Sequence, residues 1–207
     1  MTGETHADSL AIPEHITAKN AFYKHVAETL AALVQTASEQ DESDNLVTVA
    51  SNAASLLFGS FENFDSWGPA PGRRVNWAGF YFHPKLLSTK STVPLTVKPN
   101  KLILGPFHGR PACNSVSLTS KTLGVCAAAF DQRQTVVVPD VNARPGHIAC
   151  DGVTQSEIVV PIIVNGTAVG VLDIDCEGLD GFTEDIDRPG LEEIVSVFIK
   201  AVDWPIA

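Results

Sequence analysis

The chain has 207 residues, 44% of them hydrophobic and 18% charged, with 14 Lys and Arg against 24 Asp and Glu for a formal net charge of -10. That length makes one large domain or two very small ones, and the apolar content supports a packed core and excludes disorder. An acidic chain without clustered Lys or Arg has nothing to displace counterions from a phosphate backbone, so no nucleic-acid partner is expected.

The N-terminus carries acids and no basic segment leading into an apolar stretch, and the apolar runs are much shorter than the ~20 residues that span a bilayer. No membrane association is expected, and a cytoplasmic location is. Residues 1-16, with Gly3, Ser9 and Pro13, read as a loose arm, and 17-207 as one domain. From Thr17, the residues Phe22, Val26, Leu30, Leu33 and Val34 recur at helical spacing. A second helix fits Asp44 to Leu57, with Gly59 as its stop.

The turn-rich FENFDSWGPAPGRR precedes a strand in RVNWAGFYFHP, ended by Pro84. A polar stretch with two prolines, LLSTKSTVPLTVKPN, then leads into the strand KLILGPF, so the two strands read as a long hairpin with a mobile tip. ACNSVSL reads as a strand, GVCAAAFDQ as a short helix, TVVVP as a strand and DVNARPGHIACDGVTQ as a long loop. SEIVVPIIV and TAVGVLDIDC flank Asn165-Gly166, a strong hairpin signal because both residues tolerate positive φ. A last helix, roughly Glu184 to Val202, carries the stripe Ile186, Leu191, Ile194, Val195, Phe198 and Ile199. About six strands joined by hairpins, with helices at both ends, make an α+β fold: a largely antiparallel sheet with N- and C-terminal helices packed on one face.

Four cysteines are too few for a secreted disulfide scaffold, so each needs its own reading. Cys150 lies in PGHIACDG, a segment neither apolar nor periodic, where a thiolate nucleophile is as well accommodated as a half-buried small residue. His147 either assists it or is a surface histidine. Cys126 follows Gly124 at the start of a helix, where the dipole favours a thiolate, and Cys113 follows the turn-rich GPFHGRPA. A thiol that becomes a sulfenic acid needs a second thiol within reach in space. Spacings of 13 and 24 residues match no paired zinc or thioredoxin pattern, although Cys113, Cys126, Cys150 and His147 would make one zinc set. Cys176 ends an apolar strand and reads as structural.

Asp173 and Asp175 lie two apart and so share a strand face, and Glu157 opens the neighbouring strand. Carboxylates inside apolar strands are either solvated at a frayed end or line a pocket that binds an ammonium group and holds a proton to higher pH. Trp77 and Tyr81, four apart, share a face as well. They are core, or the apolar wall of a slot for a small alkyl or thioether group.

Taken together, NWAGFY, LGPFHGRPAC, GVCAAA, VVPDVNARPGHIACDG, SEIVVPI and GVLDIDC resemble, in order and register, the free methionine-(R)-sulfoxide reductases, enzymes built on a single GAF domain. The resemblance covers roughly residues 20 to 202. It implies thioredoxin-dependent reduction of free methionine-R-sulfoxide to methionine, with no cofactor and no metal. It implies further that Cys150 attacks, that Cys113 and Cys126 recycle it, that Glu157, Asp173 and Asp175 are the active-site acids, and that Trp77 and Tyr81 wall the pocket. Backbone N-H groups of the Cys150 loop, at Ile148 and Ala149, are expected to hold the substrate carboxylate. The segment between the first two cysteines is longer than the family's usual loop, and Ala127-Ala128 replace its Gly-Thr. A homodimer is compatible with the fold. The alternative function is a GAF-type sensor, binding a small molecule or switching by oxidation without turnover. Against a bare ligand sensor stand the three cysteines in matching motifs and the lack of an output domain in the sequence as read.

Overall fold

The structure is a computed structural model that describes residues 10-35, 44-68, 72-144 and 151-206. Helix α1 (Lys19–Gln35) buries Phe22, Val26 and Leu30 completely, as the four-residue spacing requires. Helix α2 (Leu46–Glu62) starts at Asn45, whose side chain accepts a hydrogen bond from the Thr48 N-H at 3.0 Å. Its expected stop at Gly59 is wrong: the helix runs through Gly59 to Glu62 and is capped by Asn63. The glycine serves close approach instead, since a Cβ there would lie 2.7 Å from Leu10 Cδ2. Leu10, Ile12 and Ile16 from the expected arm pack against the core, while residues 1-9 lie outside the described residues.

Six strands follow: β1 (Val75–Phe82), β2 (Lys101–Gly109), β3 (Ser115–Ser117), β4 (Val136–Val138), β5 (Ser156–Val164) and β6 (Thr167–Cys176). They form one sheet in the order β3-β2-β1-β6-β5-β4, and every pairing is antiparallel. Between β1 and β2 lies the short helix α3 (Pro84–Leu87), with Pro84 in its first turn. His83 holds this loop from beneath: Nδ1 accepts the Lys85 N-H at 3.0 Å, and Nε2 lies 3.1 Å from the Val97 carbonyl. Helix α4 (Val125–Gln132) precedes β4, and α5 (Asp187–Ala201) closes the fold. The apolar stripe of α5 begins at Leu191. Ile186, expected in that stripe, precedes the first turn and is 38% exposed.

Helices α2 and α5 lie on one face of the sheet with α1 packed across them, and α4 lies alone on the other face. Covered on both sides, β5 and β6 are buried along almost their whole length, which explains their continuous apolar reading. Asn165 (φ 47°) and Gly166 (φ 77°) form the expected two-residue turn. Counted from that turn, Val164 faces Thr167 and Ile163 faces Ala168; then the register shifts, so that Ile162 faces Gly170. Val169 is the extra residue of this bulge, and its carbonyl accepts the His83 N-H at 2.8 Å.

Candidate active site

The bulge decides which side of the sheet the acids occupy. Beyond it, Glu157 faces Asp175, which faces Trp77 across the next strand; in the adjacent row Val159 faces Asp173, which faces Gly79. Residues directly opposite share a face, so Glu157, Asp173 and Asp175 converge under α4 with Trp77 and Tyr81 beside them. Gly124, Val125 and Cys126 of the α4 start, Cys113, Ser115–Ser117, Ser120 and Thr154 complete the lining of a cavity of about 190 Å3. All the expected site residues that fall among the described residues thus meet in one cavity.

The aromatic wall is a stack. Trp77 lies 5.8 Å from Tyr81 at 24° and 5.5 Å from Phe107 at 18°. Gly79 makes room for it, because a Cβ there would come within 2.7 Å of the indole and 2.3 Å of Phe107 Cβ. Tyr81 donates its hydroxyl to the Cys113 carbonyl at 2.9 Å, tying the wall to the segment that carries a thiol.

Charge is concentrated below the wall. Glu157 and Asp173 are only 5% and 6% exposed, and the Cys126 thiol donates to Asp173 Oδ2 at 3.2 Å while lying 3.9 Å from Glu157 Oε1. Burial raises the Glu157 carboxyl well above its ordinary value, and the neighbouring Asp173 and Asp175 raise it further, with Arg144 opposing. Asp173 is pushed up to about 6 by burial, moderated by hydrogen bonds from Cys126, Glu157 and the Ile174 backbone. Burial, Asp173 and Asp151 likewise raise Asp175, against which the Thr154 hydroxyl acts. Burial and mutual repulsion thus make these crowded carboxyls hold a proton to higher pH than isolated ones do, the condition for delivering it.

Cys126 departs from its expected thiolate character. It does sit at the start of α4, but burial and the charges of Asp173 and Glu157 raise its thiol well above the ordinary value, outweighing the helix dipole. Cys113 is half-buried at the cavity. Cys176 lies on the opposite, helix-covered face, buried, with its thiol donating to the Arg73 carbonyl at 3.4 Å, in keeping with a structural thiol. His147, Ile148, Ala149 and Cys150 lie outside the described residues. Asp151, next after Cys150, is close enough to raise Asp175 and pairs with Arg110 at 3.2 Å.

Sequence reasoning passed over Thr154, Phe107 and Arg144. Thr154 Oγ1 accepts from Asn76 Nδ2 at 2.9 Å and supports Asp175; its one sequence signal is a polar residue just ahead of an apolar strand. Phe107 and Arg144 carried no signal, because strand register alone brings the first to Trp77 and loop path the second to Glu157. As for metals, Cys126, Glu157 and Asp173 place one donor atom each within 4.8 Å of one another, the one such group among the described residues. It shares only Cys126 with the zinc set considered from sequence.

Fold and cavity together define a GAF-domain protein, and the GAF domain family profile matches residues 86-198. The chain is 41% identical over 158 residues to the free methionine-R-sulfoxide reductase of Saccharomyces cerevisiae, covering 76% of each protein. It is 36% identical over 128 residues to the Escherichia coli protein of that name, covering 62% of this chain and 67% of the other. Among solved structures, the free methionine-R-sulfoxide reductase from Neisseria meningitidis in complex with its substrate superposes with a TM-score of 0.71 at 31% identity, covering 92% of this chain and 94% of that one. The chain belongs to the free methionine-R-sulfoxide reductase family of GAF-domain proteins.

Proposed function

We propose that this chain reduces free L-methionine-(R)-sulfoxide to L-methionine, with thioredoxin as the external dithiol. The observation that carries the reading is the buried proton-holding pair Glu157 and Asp173, set against a thiol at the base of a cavity walled by Trp77 and Tyr81. In this reading the carboxylates hold the substrate ammonium, the backbone N-H groups of Ile148 and Ala149 its carboxylate, and the aromatic wall its methyl group. Glu157 with Asp175 protonates the sulfoxide oxygen while the Cys150 thiolate attacks sulfur. Oxygen passes to Cys150 as a sulfenic acid and methionine leaves. Cys113 or Cys126 condenses with the sulfenic acid, releasing water, and thioredoxin reduces the disulfide by exchange. The R hand alone directs oxygen at the acids with methyl at the aromatics.

The 3.2 Å contact between Cys126 and Asp173 carries one second reading, in which Cys126 attacks and Asp173 takes its proton only as substrate binds, against the raised thiol of the free cavity. Single-turnover release of methionine separates the two. Reduced Cys126→Ser yields about one methionine per chain and Cys150→Ser none if Cys150 attacks, and the reverse pattern assigns Cys126. NADPH consumption coupled through thioredoxin tests the activity itself: turnover of the free R epimer, with neither the S epimer nor a dabsyl-blocked sulfoxide turned over, is expected. No turnover of the R epimer by folded, reduced protein overturns the proposal in favour of a sensor.

A further inference from the structure

The same three donors carry a second property. We propose that Cys126, Glu157 and Asp173 form a binding site for a zinc-type divalent cation at the base of the cavity, mutually exclusive with an ammonium ligand there.

The donor set comes from three rigid elements: α4 supplies sulfur, β5 and β6 one carboxylate each. A tetrahedral zinc ion, with its sulfur at about 2.3 Å and its oxygens at about 2.0-2.2 Å, sets its ligand atoms roughly 3.3-3.7 Å apart. The distances from Cys126 Sγ to Asp173 Oδ2 and Glu157 Oε1, 3.2 and 3.9 Å, bracket that edge. The two carboxylate oxygens lie within 4.8 Å of each other, so side-chain rotation brings all three donors onto one ion, and because all three residues line the cavity a fourth, exchangeable ligand enters from it.

A second observation points the same way. Asp173 Oδ1, on a residue only 6% exposed, has no hydrogen-bond partner among the described residues, although Oδ2 of the same carboxylate is bonded. A buried carboxylate oxygen without a donor is costly. A cation, whether a metal ion or a ligand ammonium, satisfies it. The sulfur selects between metals: thiolate with carboxylates suits zinc and disfavours magnesium and calcium, which take oxygen alone. Binding replaces the thiol proton of Cys126 and the carboxyl proton of Glu157, and both protons go to solvent.

Because the property belongs to the donors and not to the reduction, it is tested by direct binding, whatever the outcome for catalysis. The reduced full-length chain is titrated with Co2+, whose thiolate charge-transfer band in the near ultraviolet reports a cobalt-sulfur bond. We expect one ion per chain, displaced by Zn2+. The band should remain in Cys113→Ser, Cys150→Ser and Cys176→Ser and vanish in Cys126→Ser. Loss of a supporting contact alone costs 10- to 100-fold in metal affinity, so Glu157→Gln and Asp173→Asn should each weaken binding at least about tenfold. Free L-methionine, which cannot oxidise the thiols, should lower the apparent affinity, and a cobalt affinity unchanged by methionine that itself binds the cavity overturns the mutual exclusion. No charge-transfer band in the wild type, or a band that survives Cys126→Ser, overturns the proposal. Should Cys126→Ser fail to fold by circular dichroism, unchanged affinity in the two carboxylate variants overturns it instead.

Discussion

Alternate residues of the same strands have opposite physical lives. On the helix-covered face, Ile158, Val160, Leu172 and Ile174 are at most 2% exposed and pack with Phe80, Phe82 and Phe198, whose rings stack at 4.8-6.4 Å. One residue along, Glu157, Asp173 and Asp175 turn charge into the cavity under α4. The first face gains from everything it buries; the second packs Val159, Val171 and Leu102 with α4 but also buries groups that water would hold more cheaply. Strand parity thus separates what stabilises the molecule from what equips it to react, and each half should fail in its own way.

The sharpest way to break that separation is Glu157→Gln. It keeps the volume and removes the proton, so kcat/KM for free methionine-R-sulfoxide is expected to fall ~10^2-10^4-fold with no loss of thermal stability; a parallel fall in both would show that the faces are not independent. Phe198→Ala is the converse. It should cost ~3-5 kcal/mol in urea unfolding, while the fraction that remains folded turns over at the wild-type rate.

Asp173→Asn sharpens the comparison by its sign. The folded carboxyl titrates at about 6, above its ordinary value, because burial outweighs the hydrogen bonds it accepts, with Glu157, Asp175, Cys126, Asp151 and Arg144 among the charged or titratable groups around the cluster. The folded state therefore grips this proton more tightly than the unfolded chain does. That contribution is whole below pH ~4 and is lost as pH rises through the folded value. The variant should be more stable than wild type by about 3 kcal/mol at pH 8 and gain little at pH 4, read as melting temperature against pH. The smallest effect is expected at Cys176→Ala, on the helix face: about 1 kcal/mol from its lost hydrogen bonds, and no change in turnover or in the number of titratable disulfides.

The sequence made most of the elements legible, because helical stripes and the Asn165-Gly166 turn are local signals. It misled at Gly59, where a glycine chosen for close packing looks like one chosen for a turn, and at Ile186, where an apolar residue just outside a helix looks like part of its stripe. Within the site, period two placed Asp173 beside Asp175 and Trp77 beside Tyr81. It could not align one strand with the next, because β5 and β6 are apolar on both faces and a bulge leaves no mark in such a run. For the same reason the high thiol of Cys126 was invisible: it arises from carboxylates that only register brings near.

The bulge at Val169 carries a consequence for how this protein tolerates change. Counted straight from the turn, without the extra residue, Glu157 would stand opposite Ile174 instead of Asp175, and the acids of β5 and β6 would point to opposite sides of the sheet. The hairpin is thus written in a reading frame of its own. Substitutions along it are absorbed one at a time, but deleting a single residue between Gly166 and Asp173, even a chemically silent one, would split the acid cluster while leaving every functional residue present in the sequence.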